Sequence, residues 1–315
     1  MQQKTVIFSL LFFMILGKIV DGTGIERQGV VIYMTKADRK GPLCMLAAAI
    51  CWSLGGLCLK YVQSWNPMSI SGIRALFAAA VFAVYRKGFK VRLTKGNILA
   101  ALFLSATNIL FVFANQLTTA AAAVLLQFTA PVFILIIEFI FYRKKPRLSE
   151  ALAVTLTIFG MVLFFADQLD SGRLFGNILA IVSGLTFALV FVCNKRPDAE
   201  PEQSVMLGFL INGILWTPFA FFDSGITADP VAWGFVILMG VVQVGLAYVF
   251  FSIGIKRTSA LLASLMVAIE PVLNPLWVAL ATAERPGSFA IVGGIVIILT
   301  IVGYNAWVAR REAEP

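Results

Sequence analysis

The chain has 315 residues, of which 60% are apolar and only 13% charged, and its mean hydropathy is +0.91. Soluble globular domains carry about 45–50% apolar and about 25% charged residues. A soluble domain, a disordered chain and a small disulfide scaffold are therefore excluded, and a polytopic membrane protein fits. The net charge of +9 does not mark a nucleic-acid binder, because the basic residues lie in short clusters between apolar runs, where they set topology.

Residues 1–33 stand apart. Val6–Gly17 is an apolar run of 12 between Lys4 and Lys18, too short to span comfortably and lacking a small-residue cleavage site behind it. Met34 opens a second basic lead-in, so 1–33 reads as an upstream extension, from a mis-assigned start or disordered. Ten apolar segments follow, over 41–62, 67–86, 96–116, 119–141, 149–166, 174–194, 203–222, 231–254, 258–282 and 288–308. Each has the length that a ~30 Å hydrocarbon core demands at ~1.5 Å per residue. The expected fold is an all-α integral membrane protein of ten transmembrane helices, each satisfying its own backbone. The connections are short and leave no room for a soluble catalytic domain. Eighteen Lys and Arg fall on one side of this layout and three (Lys60, Arg173 and Arg285) on the other, which places both termini in the cytoplasm.

The chain also repeats itself. Thr118-Thr119-Ala120 matches Thr258-Ser259-Ala260 at an offset of 140, as Pro131 matches Pro271 and Pro146 matches Pro286. Gly41, Cys58 and Lys60 match Gly176, Cys193 and Lys195 at an offset of 135. Two units follow, 41–166 with helices 1–5 and 174–308 with helices 6–10. An odd helix count inverts the second relative to the first. Inverted repeats around a midplane site are a transporter design.

These residues carry a family resemblance. Gly72-Ile73-Arg74-Ala75-Leu76 in helix 2, Thr119-Ala120 and Ala130-Pro131-Val132-Phe133 in helix 4, Glu270-Pro271-Val272-Leu273 in helix 9 and then Ala283-Glu284-Arg285 resemble the EamA family of the drug/metabolite transporter superfamily, over about 41–308. One departure is that the first-half position matching Glu284 is Lys144. The resemblance implies a ten-helix inner-membrane carrier, commonly an exporter of amino acids, other small metabolites or toxic compounds.

Arg74 lies about eight residues into helix 2, roughly 12 Å deep. Intramembrane charges are costly and usually face the bundle interior, so Arg74 either attracts a substrate carboxylate or pairs internally, or it snorkels to the headgroups. Glu270, midway along helix 9, either carries a proton in exchange for cargo or binds an amine, or it pairs with Arg74 or caps backbone near Pro271. Glu138 reads as an interfacial partner of Arg143. Pro131 and Pro271 fall inside helices and leave the carbonyls of Gln127 and Val267 short of a donor, so they either shape a central cavity or simply kink their helices for packing. Gln127, Asn108, Asn274 and Ser105 stand at similar depth and bond either cargo or a neighbouring helix. Trp52 and Tyr248 lie away from the interfaces, as an aromatic wall or as packing, whereas Trp65, Trp233 and Trp307 read as belt anchors. Ala47, Cys51 and Gly55 form a small-residue packing stripe. Cys44, Cys51 and Cys58 are seven apart and hold no metal-ligand spacing.

The candidate substrate-binding set is thus Arg74, Trp52, Asn108, Gln127, Tyr248, Glu270 and Asn274, with Glu270 also the proton-coupling candidate. No cofactor or metal is expected, since the chain has no histidine and no nucleotide-binding loop. A small-molecule substrate and membrane lipid are the expected partners, nucleic acid is not, and self-association is left open. The leading reading is a secondary carrier exporting a small amphiphilic metabolite by alternating access. A sugar or nucleoside importer of the same fold, and a non-transporting scaffold or sensor, are the alternatives. An enzyme acting on lipid would need a reactive constellation at one interface, and none is visible.

Overall fold

The computed structural model describes residues 40–166, 174–282 and 287–313. The extension expected over 1–33 and the Ala283-Glu284-Arg285 motif lie outside the described residues. Within them every regular element is helical. The helices are α1 (Lys40–Ser53), α2 (Gly55–Lys60), α3 (Pro67–Tyr85), α4 (Lys95–Leu117), α5 (Ala120–Gln127), α6 (Ala130–Tyr142) and α7 (Leu148–Phe164). The second half holds α8 (Leu174–Cys193), α9 (Pro201–Trp216), α10 (Pro230–Leu238), α11 (Ala247–Lys256), α12 (Ala260–Val267), α13 (Glu270–Thr282) and α14 (Ser288–Ala313). A 3-10 stretch over Thr217–Phe222 extends α9, and a π-helical turn over Met239–Leu246 joins α10 to α11.

Among the described residues eight helical segments are long and apolar enough to cross a membrane. The ten expected spans are thus matched only in part. The segment 149–166 is covered by the shorter Leu148–Phe164, and 258–282 by α12 and α13 in succession. This is a multi-pass membrane protein. Its outward side chains, such as Leu299 and Val302, are apolar, while Ser53, Ser105, Thr157, Ser183 and Asn212 are buried. That is the arrangement required when the solvent is lipid.

Local chemistry sets the helix ends. Asn66 caps α3 by accepting from Met68 N at 2.9 Å, with Pro67 in the first turn. Thr94 caps α4. Thr119 caps α5 and Ser259 caps α12 in the same way, accepting from Ala122 N and Leu262 N. Each cap supplies an acceptor to a donor left free in the first turn.

Helices of the two halves pack on one another. α1 lies on α11 and α12, and α8 lies on α4 and α5. The glycines that open these helices explain how closely they approach. A Cβ at Gly41 would stand 2.7 Å from Arg257 O, and one at Gly176 2.6 Å from the Leu117 carbonyl carbon. α3 packs against α9, and α7 against α14. At the second crossing a Cβ on Gly293 would come within 2.5 Å of Gly160 O. Small residues of this kind let membrane helices meet backbone to backbone.

The buried stripe of α1 is Met45, Ala48, Ala49 and Trp52, whereas of the expected stripe Ala47 and Cys51 are half-buried and Gly55 alone is buried. An i, i+3, i+4, i+7 row is the face a helix presents to its neighbours. Trp65 is not a lipid-facing anchor: it is 2% exposed and packs edge-on against Trp233 at 5.0 Å. Glu138 pairs with Lys144, not Arg143. Arg143 adopts the left-handed conformation, with φ 53°, at the end of α6, and this turn brings Lys144 back over Glu138.

Candidate substrate cavity between the halves

The two broken helices define the site. The expected prolines do not kink continuous helices. Each starts a second one, Pro131 in the first turn of α6 and Pro271 in the first turn of α13. The first turn tolerates proline because its N–H would have no intrahelical acceptor. Gln127 is the last residue of α5 and Glu270 the first of α13, so both stand at the breaks. Gly184 lets α8 press onto the first break, since a Cβ there would lie 2.8 Å from Gln127 O.

A cavity of about 130 Å³ lies in the middle of the bundle, and Trp52, Arg74, Asn108, Gln127, Tyr248 and Glu270 line it. The structure thus gathers six of the seven expected binding residues in one place. Asn274 is elsewhere, packed on α2, where a Cβ at Gly56 would collide with its Oδ1. Pro131 and Pro271 are buried behind the lining. They shape the cavity only through the helix breaks.

Arg74 and Glu270 reach the cavity from α3 and α13. Among the described residues neither makes a hydrogen bond or an ion pair. Tyr248 shares the lining with both. The Tyr248 ring stands edge-on to Trp52 at 4.8 Å and to Phe209 at 5.0 Å. Such contacts fix large apolar surfaces in place. The cavity therefore offers a guanidinium, a carboxyl group and an aromatic wall.

The opposite wall is a hydrogen-bonded frame. Gln127 Nε2 donates to Ser183 Oγ at 2.8 Å, and Ser183 Oγ donates to Thr107 O at 3.2 Å. Thr107 Oγ1 lies 2.9 Å from Thr186 Oγ1. Ser105 is a strut outside the lining, donating to Asn212 Oδ1 at 2.9 Å. Asn108 Nδ2 bonds back to Leu104 O at 3.0 Å.

Sequence reasoning passed over Ser71, Thr107, Asn212, Trp216 and Gln243, all of which line the cavity. Gln243 left one signal, as the only amide in the segment 231–254. It lies in the π-helical turn, a feature that recurs at functional sites.

Both ends of the bundle are tied across the halves. At one end Asp198, before α9, accepts from Gly96 N at 2.8 Å, and Thr94 Oγ1 donates to Asp198 O at 2.6 Å. Burial opposes ionisation of Asp198, but the Arg196 guanidinium and the Gly96 N–H outweigh it and hold the carboxyl below its usual range. At the other end of α9, Asp223 accepts from Asn66 N at 2.7 Å and from Gly225 N at 2.9 Å.

Known proteins share this plan. The EamA-like transporter family matches residues 39–166 and 174–306. An Archaeoglobus fulgidus protein named as an uncharacterized transporter is 23% identical over 87% of this chain and 99% of its own length. The biotin transporter of Escherichia coli K12 is 24% identical over 77% of this chain and 85% of its own. The threonine/homoserine exporter RhtA of Salmonella typhimurium LT2 is 23% identical over 78% of this chain and 83% of its own. A solved crystal structure superposes with a TM-score of 0.74 at 18% identity, covering 87% of this chain and 99% of that one. This last likeness concerns the fold alone.

Proposed function

This chain belongs to the EamA-like transporter family, and we propose that it is a secondary carrier that exports a small amphiphilic metabolite, an amino acid or a related compound, across the inner membrane. It works by alternating access, through ten spans arranged as two inverted five-helix units with both termini in the cytoplasm. The reciprocal packing of α1 on α11 and α12, and of α8 on α4 and α5, supports that symmetry.

One observation carries the reading. Arg74 and Glu270 face a shared cavity and leave each other unpaired. A buried charge is costly unless something compensates it, and a zwitterion would compensate both. Its carboxylate meets Arg74, its ammonium meets Glu270, and its side chain lies on Trp52 and Tyr248. Glu270 exchanges its cargo for a proton, which couples export to the proton gradient.

The amides and hydroxyls of the lining favour a second reading, a sugar or nucleoside as cargo. The two charges separate the readings, because a neutral polyol leaves both uncompensated. Counterflow in proteoliposomes, with labelled amino acids and sugars and with an imposed pH gradient, tests them. Exchange of amino acids that responds to the gradient is expected. Exchange of sugars alone would replace the first reading with the second.

A further inference from the structure

We infer that Gln243 is a third recognition residue, whose Oε1 accepts a hydrogen bond from an N–H of the cargo's ammonium group. This rests on the carrier reading above and names a specificity determinant within the same cavity.

Gln243 lines the cavity and is only 7% exposed. Its Nε2 donates to Trp52 O at 3.2 Å. That bond fixes which end of the amide is which, because only the nitrogen end can donate to a carbonyl. The other end, Oε1, is buried and has no partner. Buried acceptors without a donor are rare in native proteins and call for an explanation. A donor brought by the cargo supplies one.

The surroundings hold the amide in place. α1 ends at Ser53 and α2 begins at Gly55, so Trp52 O lies beside an interruption of the helix. Gly55 leaves room for the amide, since a Cβ there would come within 3.1 Å of Gln243 Nε2. On the other flank, Gly240 brings the π-helical turn against α3, where its Cβ would lie 3.0 Å from Arg74 O. Gln243 lies three residues along that turn from the glycine that packs on the Arg74 backbone, and both Gln243 and Arg74 line the cavity. An ammonium has three N–H groups, of which Glu270 can engage some and Gln243 another.

The alternative is a strut that serves only Trp52 O. The two differ in what they do to a ligand that keeps its positive charge but has no N–H. The test is titration calorimetry on the full-length purified protein. The probes are L-threonine, L-leucine and L-phenylalanine, each beside its N,N,N-trimethyl betaine. For the Gln243→Leu variant, affinity for the amino acids falls about tenfold, as expected for one hydrogen bond to a charged group. Affinity for the betaines changes less than about twofold. Gln243→Glu, which keeps an acceptor oxygen, retains the wild-type preference for the free ammonium. Equal losses for amino acid and betaine, no loss for either, or a Gln243→Glu variant without that preference would overturn the inference. Wild-type protein that binds none of the amino acids would overturn the amino-acid reading, and this inference with it.

Discussion

Arg74 and Glu270 stand at one small cavity, on helices from opposite halves of the chain, and leave each other unpaired. Two such groups pair at once if nothing holds them apart. Here Arg74 is carried by an unbroken α3, and Glu270 is anchored at the start of α13. The helix break that positions Glu270 also points the positive end of the α13 dipole at it.

Removing either charge separates binding from coupling. Arg74→Ala lowers amino-acid counterflow at least tenfold, the loss expected for one charge-assisted bond. Glu270→Gln abolishes the response to a pH gradient. Proteoliposome flux with and without the gradient reads both. A Glu270→Gln protein that still follows the gradient contradicts proton coupling at this residue.

The close approaches at the openings of α1 and α8 set a steric limit. Gly176→Val places a side chain against the Leu117 backbone, and Gly41→Val places one against Arg257 O. Each is expected to cost about 1–3 kcal/mol, the range for overpacking a tight contact. Melting of the detergent-solubilised protein measures it. Gly234→Ala, with nothing within 4 Å, is the silent control.

The tie at Asp198 has a pH signature. A carboxyl held below its unfolded value contributes stability above that value and loses it as pH falls through the folded one. Asp198 is half-exposed, so solvent screening keeps the effect small. Asp198→Asn lowers the melting temperature at neutral pH, and the gap to wild type closes as the pH falls below ~4, the ordinary range of an aspartate. A constant gap across that window would mean that the charge is not what matters.

Lys144 lies 2.5 Å from Glu138 and 3.4 Å from Glu150. Burial disfavours the Lys144 ammonium, but its two carboxylate partners raise its pKa above the usual value. Glu150 is buried, whereas Glu138 is half-buried. Lys144→Met therefore destabilises more than Glu138→Gln, because it leaves the buried Glu150 carboxylate with the Arg147 N–H but no cation, a loss of up to about 3 kcal/mol. Thermal melts of the two variants rank them.

The apolar segments were legible in the sequence because lipid demands long apolar runs, and nothing else in a protein does. Arg74, Glu270, Gln127 and Asn108 stood out for the same reason, as polar groups at depth. Side-chain direction was not legible. Trp65 sits at a segment end, yet its indole turns inward onto Trp233. Asn274 lies on the same face of α13 as Glu270, but one helical turn further along, where it meets Gly56. The partner of Glu138 depended on a left-handed Arg143, which no periodicity reveals. Gln243 was hidden because a π-helical turn breaks the 3.6-residue spacing by which lining residues are assigned to a face.

The central claim is that this cavity opens in turn to the two sides of the membrane. Ser71 lines it and is buried. The direct measurement replaces the four native cysteines, introduces Ser71→Cys, and follows its labelling by a small membrane-impermeant thiosulfonate in sealed vesicles of each orientation. Alternating access predicts labelling from both sides, slowed from both by the transported amino acid. Labelling from one side only, or from neither in a protein that melts like wild type, would contradict it.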